Sequence, residues 1–124
     1  MSQDIISDTL NQMMNIVRAR KDFISVRRYS KLLLSVLAIA KLKGYIKEYK
    51  LDSGELKITI GKLNGCNAIK PRYLIHSDDI DKYVKRYLPS KSLGILIIST
   101  SQGLMTHQIA NEKNLGGSLI AYMF

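Results

Sequence analysis

Two histidines and one cysteine are the residues of this sequence best suited to metal binding. His76, His107 and Cys66 are widely separated, and no C-x-x-C, H-x-x-x-H or H-E-x-x-H spacing connects them. A protein metal site needs three or four ligands that converge on one point. The pattern therefore predicts no metal site, and Cys66 is interpreted as a small buried residue.

Ser101 and His107 come nearest to a nucleophile and its base. No G-x-S-x-G turn surrounds the serine, and no acid is marked as a third member. Gly61 and the Gly116–Gly117 pair lack the spacing of a phosphate-binding loop. A group of acidic residues fits the first turn of a helix, where the helix dipole favours negative charge: Asp78, Asp79 and Asp81. We therefore expect no enzyme, no cofactor and no small-molecule substrate.

The overall charge indicates a polyanionic partner instead. The chain has 124 residues, with 19 Lys and Arg against 10 Asp and Glu, for a formal charge of +9. This length suits one domain or two small lobes, and a single cysteine excludes a disulfide scaffold. The longest apolar stretch, 32–40, is too short for a membrane span, and the MSQDII start does not fit a signal peptide. We expect a basic, intracellular protein with a polyanionic partner.

Residues 18–50 carry most of the positive charge. They contain ten basic and two acidic residues, a net charge of +8. Two interpretations are open: a solvated surface with extended Lys and Arg stems, or a face that contacts phosphates. The uneven charge favours the second, to which we assign Arg27 and Arg28. Ser30 and Lys31 open a predicted helix in this segment, where free backbone amides and a point charge suit a phosphate.

The stretch Ser99-Thr100-Ser101-Gln102-Gly103 is the most unusual of the chain. Three consecutive hydroxyl residues and a glycine directly follow its most apolar predicted strand. One interpretation is an ordinary polar turn with capping roles. The other is a rigidly held loop of short donors and acceptors that approaches the bases and 2′-hydroxyls of an irregular RNA element.

A predicted α+β lobe positions the basic segment. Apolar spacing predicts a helix over residues 6–17, a strand at 23–28 and a helix from Ser30 to Gly44. Two strands, 45–50 and 55–60, alternate around an Asp52-Ser53-Gly54 turn. Ser2 or Asp4 is expected to cap the first helix. Residues 1–62 thus form an N-terminal lobe of order helix, strand, helix, strand, strand.

Residues 63–124 form a second predicted lobe, mostly β, after a Gly- and Asn-rich connection at 61–68. Strands are expected at 69–75, 93–99 and 118–124. One short helix is expected from a cap at Ser77 to a stop at Pro89, and another from Thr106 to Lys113. A turn is expected at Gly116–Gly117. The predicted fold class is therefore α+β in two small lobes, 1–62 and 63–124.

The chain as a whole resembles a known family. Residues 94–107 (GILIISTSQGLMTH) and 115–122 (LGGSLIAY) resemble the universal small-subunit ribosomal protein eight family, and residues 99–106 match its long and specific signature S-T-S-x-G-[VL]-M-[TS]. The segments 29–32 (YSKL) and 44–46 (GYI) match two further family motifs in the same order. Residues 69–73 (IKPRY) and 85–89 (KRYLP) look like the archaeal and eukaryotic branch.

This resemblance implies a structural, non-catalytic protein of the small ribosomal subunit in the cytoplasm. It implies binding to the central domain of small-subunit ribosomal RNA, early in assembly, with neighbouring small-subunit proteins as further partners and no membrane. In the family, the Ser-Thr-Ser loop grips an irregular internal loop of one RNA helix. The residues that the resemblance and the basic segment together assign to RNA binding are Ser99, Thr100, Ser101, Gln102, Gly103, Ser30, Lys31, Arg27, Arg28, Tyr87, Gly116 and Gly117.

Two other hypotheses stay open. The first is an RNA- or DNA-binding regulator outside the ribosome, because family members in bacteria also repress their own messenger. The second is an RNA-processing enzyme, for which the sequence offers neither an acid/base pair nor a metal cluster.

Overall fold

The computed structural model describes residues 4–90 and 93–124. The chain divides after Cys66 into two compact units. Both helices and strands build the first unit, whereas the second is mostly β, which confirms the predicted α+β class. The lobes proposed from the sequence, 1–62 and 63–124, place the boundary a few residues earlier.

The first unit has the predicted order of helices and strands. Its three strands form one antiparallel sheet with β3 in the centre, in the order β1-β3-β2. Its elements are α1 (Ile5–Arg18), β1 (Phe23–Val26), α2 (Lys31–Leu42), β2 (Ile46–Asp52) and β3 (Glu55–Ile60).

Both helices of the first unit begin at side-chain caps. Asp4 accepts a hydrogen bond from the Ser7 N–H at 3.2 Å, and Ser30 accepts one from the Leu33 N–H at 3.2 Å. These bonds satisfy amides that have no partner within the helix. The prediction of Asp4 and Ser30 as caps is confirmed, and Ser2 lies outside the described residues.

The end of α2 and the turn between β2 and β3 depend on residues in the left-handed region. Gly44 has φ +86°, and the Tyr45 N–H donates to the Ala40 carbonyl at 2.9 Å. Ser53 and Gly54 have φ +51° and +81°, the signs that a two-residue type I′ hairpin requires. Both features were expected, because left-handed backbone favours glycine.

The second unit has its own sheet, in the order β4-β8-β6-β7, with β5 also paired to β8. Its core joins α3 and α4 to this sheet and includes Val84, Leu96, Ile98 and Leu119. Its elements are β4 (Cys66–Ala68), which begins at the last residue of the first unit, β5 (Leu74–Ile75), α3 (Ile80–Tyr87), β6 (Ile95–Thr100), β7 (Gly103–Thr106), α4 (His107–Glu112) and β8 (Gly117–Met123).

The prediction of a strand at 69–75 is wrong. The chain forms β4 before this range and only the two-residue β5 at its end, with the Lys70–Pro71 peptide bond in the cis form. Pro71 has no N–H to donate to a ladder, so the strand is interrupted there. The predicted connection at 61–68 likewise contains the whole of β4.

Two local predictions in the second unit also need correction. Ser77 does not cap α3: it opens a short 3₁₀ turn, and α3 follows from Ile80 without a side-chain cap. The turn expected at Gly116–Gly117 lies instead at Lys113 and Asn114, where Asn114 has φ +55°, while Gly117 already belongs to β8. The helix stop before Pro89 and the Thr106 cap of α4 are confirmed.

Candidate nucleic-acid interface

The hydroxyl-rich stretch is a β-hairpin and not a loop that follows a strand. Ser99 and Thr100 are the last residues of β6, Ser101 and Gln102 form the turn, and Gly103 begins β7. Gly103 has φ +106°, as the left-handed residue after a tight turn requires. The strand β7 was missed, because its four residues follow a polar turn without a clear alternating pattern.

The Thr100 hydroxyl is engaged within the hairpin turn. Its Oγ1 accepts a hydrogen bond from the Gln102 N–H at 3.1 Å and donates one to the Gly103 carbonyl at 2.9 Å. Thr100 Oγ1 also lies 4.0 Å from the sulfur of Met105, a core residue. Thr100 therefore holds the turn, whereas Ser101 at its tip is exposed.

Ser99 faces the opposite side of the sheet from Thr100, because successive side chains of a strand alternate. In the register, Ser99 pairs with Leu104 of β7 and with Ser118 of β8, so these side chains share its face. Both serines are half-buried. The three consecutive hydroxyl side chains thus have different surroundings, which the sequence alone did not show.

Gly116 and Gly117 are required by the protein's own packing. A Cβ atom on Gly116 would overlap the carbonyl oxygen of Ile75, and one on Gly117 would overlap that of Ser99. Gly117 is buried in β8, the strand paired with β6. The close approach to RNA that the resemblance implied for these glycines stays a prediction, beside a structural role in bringing β8 near β6.

Tyr87 lies at the end of α3 in a row of stacked rings. Its ring centroid is 5.5 Å from that of Tyr122 on β8, and the Tyr122 centroid is 6.1 Å from that of Phe124. Tyr87 is half-buried, so one part of its ring is accessible. The neighbouring Arg86, which the sequence analysis did not single out, has its guanidinium 5.6 Å from the Tyr87 ring centroid.

The predicted phosphate-binding residues of the first unit surround the beginning of α2. Ser30 caps the helix, and Lys31 in its first turn is exposed. Arg27 and Arg28 follow β1 and are exposed, and Arg27 Nε lies 3.4 Å from Glu55 Oε1. These four residues lie in the chain segment that leads into α2, and the side chains of Lys31 and both arginines are exposed.

The histidine and cysteine side chains have structural roles. His107 is buried, and its Nδ1 accepts the Leu96 N–H at 3.1 Å, so this nitrogen is used to join α4 to β6. Cys66 is buried as expected, and its thiol donates to the Leu10 carbonyl at 3.6 Å. Across residues 4–90 and 93–124, no three His, Cys, Asp or Glu residues cluster to hold a metal ion. In the same ranges, no helix is long and apolar enough to span a membrane.

Comparisons with known proteins identify the family that this chain is similar to. Residues 4–124 match the family described as Ribosomal protein S8. A similar protein is the "Small ribosomal subunit protein uS8" of Nanoarchaeum equitans, which is 42% identical over 129 residues and aligns over the full length of both chains. This archaeal relative agrees with the predicted branch. The match also confirms the expectation of a structural ribosomal protein rather than an enzyme. The chain belongs to the ribosomal protein S8 family.

Proposed function

We propose that this protein is a constituent of the small ribosomal subunit that binds the central domain of small-subunit ribosomal RNA. It acts in the cytoplasm, beside neighbouring small-subunit proteins, and supports subunit assembly and translation. The observation that carries the proposal is the braced hairpin of β6 and β7. Thr100 holds its turn with two hydrogen bonds, so the exposed Ser101 is presented in a fixed position.

A neutral, preorganised hairpin is suited to recognising RNA shape. Short hydroxyl and backbone groups can approach base edges and 2′-hydroxyls in an irregular element, where bases are not hidden in a regular helix. Ser99, Ser101 and Gln102 provide such groups at the hairpin. Little conformational entropy is lost on binding, since the turn is ordered before RNA arrives.

The basic residues of the first unit supply affinity that does not depend on sequence. Lys31, Arg27 and Arg28 are exposed, and residues 18–50 carry a net charge of +8. Lysine and arginine contacts to phosphates release counterions, so the affinity falls as salt rises. Phosphate contacts position the protein on RNA, and the hairpin supplies discrimination.

The experiment is a comparison of two RNAs. Binding of the full chain to a central-domain ribosomal RNA fragment and to a random RNA of equal length is measured with Ser101→Ala and with wild type. We expect the variant to bind the fragment about tenfold more weakly, with random RNA unaffected, because Ser101 carries no charge. Equal losses on both RNAs would contradict the assignment of discrimination to the hairpin. A wild type that binds both RNAs equally well would contradict the proposal itself.

Sedimentation separates the ribosomal role from regulation outside the ribosome. The protein in a cell extract should migrate with small subunits and stay with them through a high-salt wash. Free protein at the top of the gradient would favour the regulator that represses its own messenger.

A further inference from the structure

Arg86 lies against two aromatic rings of the second unit. Its Cζ atom is 5.7 Å from the ring centroid of Tyr73 and 5.6 Å from that of Tyr87. Tyr87 in turn stacks on Tyr122 of β8. Tyr73 and Tyr87 both pack against the hydrophobic core, so the rings that flank the guanidinium are held in place.

The guanidinium keeps its hydrogen-bonding capacity in this position. Contact with aromatic rings uses the flat surface of the group, and the N–H donors lie around its edge. Arg86 is exposed, and no carboxylate within residues 4–90 and 93–124 pairs with it. The last turn of α3 favours a cation, because the helix dipole is negative there. The side chain is therefore oriented, charged and open to a ligand.

We propose that Arg86, flanked by Tyr73 and Tyr87, is a preorganised binding site for an RNA backbone phosphate. This inference rests on the proposed RNA-binding function. The fork of a guanidinium matches two phosphate oxygens, and an arginine already held by rings loses less conformational freedom when it binds. RNA is the favoured source of the phosphate because the chain belongs to a ribosomal protein family and is strongly basic.

The test measures how RNA affinity depends on salt. Full-length protein is titrated with the central-domain fragment at several salt concentrations. Arg86→Gln should weaken binding about tenfold and reduce the slope of log affinity against log salt by about 0.7–0.9, the value for one phosphate contact. Arg86→Lys keeps the charge but not the fork, so it should restore the slope and only part of the affinity. Tyr73→Leu should lower the affinity and leave the slope unchanged.

Lys85→Gln is the matched control, since Lys85 is an exposed cation on the same helix turn. If Arg86→Gln reduces the slope no more than Lys85→Gln does, the phosphate site is refuted. Wild-type affinity in Tyr73→Leu would refute the role of the rings. In either case preferential binding of the fragment by the wild type would leave the proposed function standing. Thermal unfolding of the exposed Arg86 variants should match wild type, so a changed slope reports binding and not misfolding.

Discussion

The carbonyl oxygen of Ser99 lies so close to the backbone of Gly117 that a methyl group at residue 117 would overlap it. Ser99 is the next-to-last residue of β6, and its register partner on β8 is Ser118. No left-handed backbone is involved at Gly117, so the lack of a side chain is itself the requirement. The glycine determines how closely β8 supports the hairpin.

Gly117→Ala should destabilise the protein. The added methyl group meets backbone atoms of Ser99 and the Ile98 side chain, and backbone cannot rotate away as a flexible side chain does. Overpacking of this kind costs about 1–3 kcal/mol in the free energy of unfolding. Urea unfolding measures the loss. Ser118→Ala at the half-buried next residue is the control and should change stability far less; equal stability of Gly117→Ala and wild type would contradict the close approach.

Thr100→Val should disrupt the hairpin turn, because valine preserves the shape of threonine but lacks the hydroxyl. Two hydrogen bonds, to the Gln102 N–H and the Gly103 carbonyl, would be lost. Each is worth about 0.5–1.5 kcal/mol. Hydrogen exchange of the Gln102 amide should accelerate, and affinity for the central-domain fragment should fall.

Thr100→Ser is the matched control for this turn, since it retains the hydroxyl. It should restore slow exchange at Gln102 and most of the RNA affinity. Because Thr100 is uncharged, neither variant should alter the salt dependence of binding. Wild-type exchange in Thr100→Val would show that the turn does not depend on this hydroxyl.

Two substitutions of Ser30 should distinguish its role in helix capping from a role in phosphate binding. Ser30→Ala removes the acceptor for the Leu33 N–H. It should lower the free energy of unfolding by about 0.5–2 kcal/mol, measured by urea unfolding. Ser30→Asp keeps a good cap, so stability should stay near wild type. The new negative charge should nevertheless weaken binding to RNA of any sequence, because it repels phosphate at the start of α2.

Lys31→Ala completes this comparison. The exposed lysine adds a charge at the same helix start, and its loss should weaken binding to the fragment and to random RNA alike. The slope of log affinity against log salt should become shallower by about 0.7–0.9. Unchanged RNA affinity in both Ser30→Asp and Lys31→Ala would exclude the start of α2 from the interface.

Cys66 should make stability depend on pH in alkaline solution. Burial raises the pKa of its thiol from 9.0 to about 12. The folded chain therefore holds this proton between pH 9 and 12, whereas the unfolded chain releases it. The contribution of the buried thiol to the free energy of unfolding is therefore complete below pH 9 and is lost as the pH rises toward 12.

Cys66→Ala should remove this contribution. The difference in unfolding free energy between wild type and variant should shift by about 1.4 kcal/mol per pH unit above pH 9, in favour of the variant. Urea unfolding at pH 8, 9 and 10 measures it. Burial also raises the pKa of Tyr45, but that residue is present in both proteins and its effect cancels. Parallel stability curves would contradict the prediction.

Local signals in the sequence predicted the first unit well. Asp4 and Ser30 cap their helices, Gly44 ends α2, and Ser53–Gly54 forms the turn between β2 and β3. Each of these features depends on residues close together in the chain, where side-chain and backbone chemistry act directly. The role of the hydroxyl-rich stretch in RNA recognition, which the family motifs implied, stays a prediction.

Predictions failed where strand pairing, which the pattern of apolar residues did not show, decides the structure. The four residues of β7 become a strand because they pair with β6, and residues 69–73 do not because Pro71 lacks a donor. Arg86 carried no signal of its own in the sequence. Its proposed role depends on contacts with two rings: Tyr87 on the same helix and Tyr73 in the segment before it.

Charge and motifs in the sequence predicted the class of partner and the side-chain chemistry available to bind it. A charge of +9 indicated a polyanion, and the neutral residues 99–103 indicated recognition of RNA shape. The fold shows how those residues are used: Thr100 braces the turn, Ser101 lies exposed at its tip, and the Ser99 carbonyl oxygen lies against Gly117. Hydrogen bonds in the turn depend on side-chain geometry, and strand pairing brings Ser99 against a glycine far along the chain; composition and spacing contain neither kind of information.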